Sequence, residues 1–170
     1  MAGFSDDSEK AILDSSTVGL GRTLYLALFR WTGTTGQGAG KTINDDGTLN
    51  SGDATNVREV TATGYARKQI DSNYWLSATN VGYASKALAS AVTWNAGVEA
   101  YGEICGWGLF TASAGVASGA ASAAGLVCAG TLTNSIGQDS SVQVNAQETF
   151  QFDATNPIRV QLGDVGDSFV

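Results

Sequence analysis

The chain begins with a short amphipathic run and then reads as strands. Between Ser5 and about Ser16, Ala11, Ile12 and Leu13 form a small apolar patch. Asp6, Asp7 and Glu9 sit where a helix dipole is positive, and Ser5 can cap the first turn. This predicts a short helix, stopped by the Gly-containing run from Ser16 to Gly21. Thr23 to Trp31 is apolar at both parities, with Leu24, Leu26 and Leu28 on one face and Tyr25, Ala27, Phe29 and Trp31 on the other. Strand side chains alternate between faces, so the pattern predicts a central strand buried on both sides.

Residues 32–56 are mostly polar and form a predicted loop. Loops beyond about 15 residues are uncommon in compact domains and often bind something. From residue 57 the chain is a succession of short runs: VREVTATG, YARKQI, YWLSA, ALASAVTW, GEICGWGLF, LVCAGTL, SVQV, TFQF and IRVQL. Gly, Asn, Asp and Ser separate them, and the last three alternate apolar with polar. Strands at this spacing predict an all-β chain built as a single antiparallel β-sandwich, jelly-roll-like, with a short N-terminal helix. The expected organisation is an N-terminal arm at 1–22, a sandwich at 23–162 that carries the 32–56 loop, and a C-terminal tail at 163–170. The expected core comprises Leu24, Leu26, Leu28, Tyr65, Trp107, Leu109, Phe110, Phe150, Phe152, Val160 and Leu162.

Composition supports a folded domain. The 170 residues include 22 glycines, one proline and 15% charged residues, with 43% apolar. Disorder needs low hydrophobicity and high charge, which this chain lacks. The net charge of −7 and the absence of a dense Lys/Arg cluster argue against nucleic acid and anionic membranes as partners. The acidic N-terminal segment does not resemble a signal peptide, so assembly in a cytoplasm is expected. The run from Ile104 to Gln138 carries no charge, but its Gly and Ser content does not suit a membrane span. Cys105 and Cys128 lie in apolar runs; two reduced core thiols are the expected state, with a bridge open if their strands are neighbours.

Several motifs invite chemistry. The segment GTTGQGAGKT, Gly33 to Thr42, ends like a phosphate-binding loop. Thr35 stands where the first glycine of that motif belongs, and a turn-rich acidic segment follows instead of a helix. Asp45, Asp46 and Asp53 do not follow a calcium-loop spacing. The chain has no histidine, which removes Ser-His-Asp and Cys-His catalysis and every His-containing zinc site. Glu99 and Glu103 are the candidate acid pair for glycoside hydrolysis. Trp31, Trp75, Trp94 and Trp107 would form a sugar platform only if exposed, and their strand-like settings favour core packing. No metal or cofactor is expected.

Laid out in order, TLYLALF, REVTATGYARKQI, ASAVTW, GEICGWGLFTA and the segment from Ala129 to Leu162 resemble a family of small tailed-phage virion proteins. Gly64-Tyr65-Ala66-Arg67 and Gly106-Trp107-Gly108-Leu109-Phe110 carry most of the resemblance. Tyr101 stands where the family has Trp, and Asn145-Ala146-Gln147-Glu148 replaces a Gly-Asp turn. The resemblance implies a non-enzymatic virion structural protein, assembled in a host bacterial cytoplasm. The leading form is a capsid decoration (cement) protein that bridges and stabilises capsomers, partnered by the major capsid protein. The alternative is a tail-fibre, baseplate or tail-adaptor component partnered by tail proteins, with host-glycan binding as one form of it. The chain has neither heptads nor repeats for a fibre shaft. A homo-oligomer, by analogy a trimer, is expected. Alternation puts Tyr65 and Arg67 on one strand face, so Arg67 is expected to pair with an acid or to reach a neighbouring subunit. Lys41, Asp45 and Asp46 in the 32–56 loop are the other candidate intersubunit contacts.

Overall fold

The computed structural model describes residues 6–31, 57–80, 84–113, 125–133, 140–153 and 157–162. In chain order the elements are α1 (Asp6–Asp14), β1 (Leu24–Trp31), β2 (Val57–Glu59), β3 (Lys68–Ile70), β4 (Thr79–Asn80), β5 (Ala84–Ala87), β6 (Val92–Asn95), β7 (Gly102–Phe110), β8 (Leu126–Thr131), β9 (Val142–Val144), β10 (Thr149–Phe152) and β11 (Arg159–Leu162). A 3-10 turn covers Ser72–Tyr74. Strands dominate and pair antiparallel, so the chain is all-β with a short N-terminal helix. It forms two compact units. One comprises residues 24–69 and 93–150; the other comprises 1–23, 70–92 and 151–170.

The larger unit is organised around β1 and β7, adjacent in a six-stranded sheet of order β2-β1-β7-β8. β3 takes a second stretch of β1, and β9 a second stretch of β7. Leu26 lies opposite Leu109 and Leu28 opposite Trp107, so one face is large and apolar. On the other face Ala27, Phe29 and Phe110 join Val57 and Cys105 in a buried cluster, with Trp31, Leu126 and Ala129 packed against it. β1 is therefore buried on both sides, as its two apolar parities predict.

The glycines of β7 and β8 make room for rings. A Cβ on Gly108 would lie 2.7 Å from the Phe29 ring, and one on Gly130 would lie 2.7 Å from the Trp107 indole. The rings therefore rest on bare backbone, where contact is tight and any added methyl strains the packing. In the pair formed by β6 and β10, Trp94 and Phe150 pack with ring centroids 6.3 Å apart.

The smaller unit contains the three-stranded sheet β11-β5-β4, with α1 packed against all three strands. Residues 6–22, which the sequence assigns to an arm, thus fold onto this sheet, and Leu13 and Leu20 are buried. Gly19 ends the helical segment closely: a Cβ there would overlap the Ile12 carbonyl, while the Leu20 N–H donates to the Leu13 carbonyl at 2.9 Å. Lys86 on β5 is 5% exposed, and its ammonium meets Asp14 at 2.6 Å.

Of the expected core, Leu24, Leu26, Leu28, Trp107, Leu109, Phe110, Phe150 and Phe152 are buried. Tyr65 and Val160 are half-buried instead. The side chain of Leu162, the loop at 32–56 and the tail at 163–170 lie outside the described residues.

Candidate functional site

The segment Gly64-Tyr65-Ala66-Arg67 gives each of its four residues a separate structural task. Gly64 has a φ of 84°, in the left-handed region that glycine adopts without a Cβ clash. It closes a turn in which the Tyr65 N–H donates to the Ala62 carbonyl at 3.0 Å. Glu99 supports the turn by accepting the Thr63 N–H at 2.6 Å. That bond, chiefly, holds the Glu99 carboxyl below the usual range.

Tyr65 fills a gap in the β1 ladder. β2 pairs with Phe29, Arg30 and Trp31, and β3 pairs with β1 separately. Between those contacts the Leu28 N–H donates to the Tyr65 hydroxyl at 2.8 Å. An unpaired backbone N–H at this depth would cost about 1–3 kcal/mol, so the phenol stands in for a strand. Its ring meets Tyr101 edge-on at 5.7 Å, and the Tyr101 hydroxyl donates to the Asn95 carbonyl at 2.8 Å. Tyr101 is thus a buried supporting ring. Burial, above all, with the nearby Glu59 carboxylate, pushes the Tyr65 phenol well above its ordinary value.

Ala66 contributes its carbonyl, which accepts the Trp94 indole N–H at 3.0 Å. Arg67 then turns into the sheet. Its Nε and Nη2 donate to the two oxygens of Glu59, each at 2.8 Å, and its Nη1 donates to the Ala112 carbonyl at 2.8 Å. The guanidinium carbon lies 3.7 Å from the centroid of the Phe110 ring. Both charged side chains are nearly excluded from solvent, at 3% and 2% exposure. A forked, doubly bonded pair of this kind needs a planar guanidinium, which lysine cannot supply.

The two motif segments therefore meet. Gly64 to Arg67 supplies the cation, and Gly106 to Phe110 supplies the ring beneath it. Arg67 has the acid expected for it, and that acid is Glu59 of its own chain. The guanidinium points inward, against Glu59 and the Phe110 ring. Lys41, Asp45 and Asp46, and the whole Gly33–Thr42 segment, lie outside the described residues.

Glu59 is the residue that sequence reasoning missed. The signal was its parity: Val57 and Glu59 share a strand face, so a carboxylate occupies an apolar position eight residues before an arginine. The two acids of the candidate pair have different partners. Glu99 holds the Thr63 turn, whereas Glu103 accepts the Ser141 hydroxyl at 2.6 Å. The tryptophans do not form an exposed platform, because Trp75, Trp94 and Trp107 are buried and Trp31 packs on the core cluster.

The cysteines are free. Their strands are neighbours, but Cys128 lies opposite Leu109, four positions along β7 from Cys105. That offset is about 13 Å of strand, well beyond the separation a disulfide spans. Burial pushes the Cys128 thiol up to about 12, so it stays protonated near neutrality. Among the described residues, no group of three or more His, Cys, Asp or Glu is arranged to hold a metal ion. No helix among them is long and apolar enough to cross a membrane.

No protein-family model, curated protein or solved structure matches the chain.

Proposed function

We propose that the chain is a non-enzymatic structural protein of a tailed-bacteriophage virion, a jelly-roll-like β-sandwich that decorates the capsid and bridges neighbouring capsomers. The observation that supports this most is the convergence of Gly64–Arg67 and Gly106–Phe110 on one internally bonded assembly. These are the segments on which the family resemblance rests, and their recurrence has a physical cause if each residue is needed to hold the sheet together. The same assembly suits a scaffold better than a catalyst. Its polar atoms bond to one another, and the chain has no histidine to act as a base near neutrality. The partners are the major capsid protein and further copies of the chain. No cofactor is required, and the protein resides in virions assembled in the bacterial cytoplasm.

A tail-fibre, baseplate or adaptor role rests on the same resemblance. Its glycan-binding form requires aromatic faces open to solvent, and three of the four tryptophans are buried. The decoration role is favoured on that ground.

Add-back to stripped particles tests the reading. Capsids depleted of the chain should lose heat resistance and recover it when purified protein is returned. Depleted capsids as heat-resistant as complete ones would argue against decoration.

A further inference from the structure

Three loops of the larger unit meet at Gly97. They are residues 61–64 between β2 and β3, 96–101 between β6 and β7, and 145–148 between β9 and β10. The Gln147 N–H is shared between the Ala96 and Gly97 carbonyls at 3.1 and 3.0 Å, and the Ala96 N–H donates to the Glu148 carbonyl at 2.8 Å. A Cβ on Gly97 would touch the Thr63 carbonyl at 3.8 Å. Two exposed carboxylates tighten the arrangement. Glu99 accepts the Thr63 N–H, and Glu148 accepts the Asn145 N–H at 2.7 Å and the Asn145 side-chain amide at 3.1 Å. The Thr149 hydroxyl lies 2.9 Å from the Asn95 side-chain oxygen and donates to it, which joins the roots of the second and third loops.

Loops bonded to one another in this way are shaped before any partner arrives, so binding costs little ordering entropy. Their backbone holds Gln147 at a φ of 67°, against the preference of a residue with a Cβ. Most of their exposed side chains are small or polar. Val98 stands out, at 83% exposure, with exposed Ala100 and Ala146 in the same set of loops. The charged residues of the three loops are Glu99 and Glu148, and none of the loop residues is a cation. The bonds from Thr63 and Asn145 hold both carboxyls below the usual range, so both are anionic at neutral pH. Arg30 of β1 reaches the Thr61 hydroxyl at 3.3 Å, at the root of the first loop.

We propose that these three loops form a docking surface for a protein partner with a basic contact face, and that the Val98 side chain seats in an apolar recess between that partner's Lys or Arg residues. Charge complementarity selects this occupant. A second copy would bring the same two carboxylates against Glu99 and Glu148, and nucleic acid or an anionic membrane would be repelled by them. A basic protein face gains from both carboxylates, whose free lone pairs remain open to further donors. The contact is small, so many copies on one particle strengthen it by acting together. The basic partner is here the shell protein of the proposed function, and its assignment rests on that reading.

Co-sedimentation of the purified chain with capsids depleted of it, over a range of salt, is the test. Wild type should bind and lose affinity as salt rises. Val98→Ser should bind about tenfold more weakly, the equivalent of one apolar side chain left unburied. The double variant Glu99→Gln, Glu148→Gln keeps an oxygen acceptor for the Thr63 and Asn145 amides but removes both charges. It should bind more weakly at low salt and show a flatter salt dependence. Asp7→Asn, which removes a charge from α1 instead, should bind as wild type does. Hydrogen exchange at the Thr63 and Asn145 amides reports whether the loops persist, and Val98→Ser decides the matter if the glutamine variant unravels them. Folded Val98→Ser and double-glutamine proteins that bind like wild type would overturn the docking surface and leave the virion reading standing. A wild-type chain that does not bind depleted capsids would overturn both.

Discussion

The guanidinium of Arg67 grips the carboxylate of Glu59 through two bonds of 2.8 Å, with both side chains almost wholly out of solvent. Neither charge is left with a bare face: the Phe110 ring lies against Arg67, and the Ala112 carbonyl takes a further N–H. Removing one partner of such a pair is far more costly than removing both, because the survivor remains buried and uncompensated. Arg67→Met alone should therefore lower unfolding stability by about 3–5 kcal/mol. The double variant Glu59→Leu, Arg67→Met should recover most of that loss. Urea unfolding of the three proteins gives the comparison, and an additive double variant would show that the two side chains act independently.

Tyr65 makes a separate prediction. Tyr65→Phe leaves the Leu28 N–H without its acceptor and should cost about 1–3 kcal/mol. The pH dependence follows from the raised phenol. A group whose folded pKa is raised contributes its stability in full below the unfolded value, about pH 10 for tyrosine, and loses it as pH rises beyond. Wild type should thus lose stability in alkali more steeply than Tyr65→Phe. Unfolding midpoints measured near neutrality and above pH 10 check both the size and the sign.

Gly108 and Gly130 are glycine for lack of room rather than for backbone freedom. Each would place a Cβ 2.7 Å from an aromatic ring, that of Phe29 and that of Trp107 respectively. Gly108→Ala and Gly130→Ala should each destabilise by about 1–3 kcal/mol through overpacking. Thermal unfolding measures the loss. Pairing Gly108→Ala with Phe29→Leu should recover part of it, since the smaller side chain yields the space.

Acid should loosen the smaller unit. Burial raises the Asp14 carboxyl, but the Lys86 ammonium and the Ala78 N–H outweigh it and hold the group below its ordinary value. A depressed carboxyl contributes stability above its unfolded value, about pH 4, and loses it as pH falls through the folded one. Asp14 is 38% exposed, so solvent screening trims the effect to about 1 kcal/mol or less. Lys86→Met should flatten the acid limb of the stability curve. Asp14→Asn should raise hydrogen exchange across α1 at neutral pH by leaving Lys86 buried without its carboxylate.

What the sequence revealed was mostly periodicity. The two apolar parities of Leu24–Trp31 disclosed a strand buried on both faces, and the acidic first turn disclosed α1. Pairing was harder to read. Arg67 announced a need for an acid, but Glu59 is selected by the register that sets it beside Phe29, and register is a long-range property. The Tyr65 hydroxyl bonds to a backbone N–H, which leaves no trace in a pattern of side chains. The docking of residues 6–22 depends on Asp14 finding Lys86, 72 positions away. Gln147 is a further case. It takes a φ of 67°, a left-handed conformation unusual for a residue other than glycine, and its N–H reaches the Ala96 and Gly97 carbonyls, which nothing in the local sequence pattern announces.

The proposed structural role in a virion is tested most directly by the copy number of this chain in purified particles. Quantitative mass spectrometry against the major capsid protein supplies it. Decoration of the capsid predicts a ratio comparable to the capsid protein itself. A few copies per particle would contradict decoration and point to the tail, and absence from particles would contradict the virion role altogether.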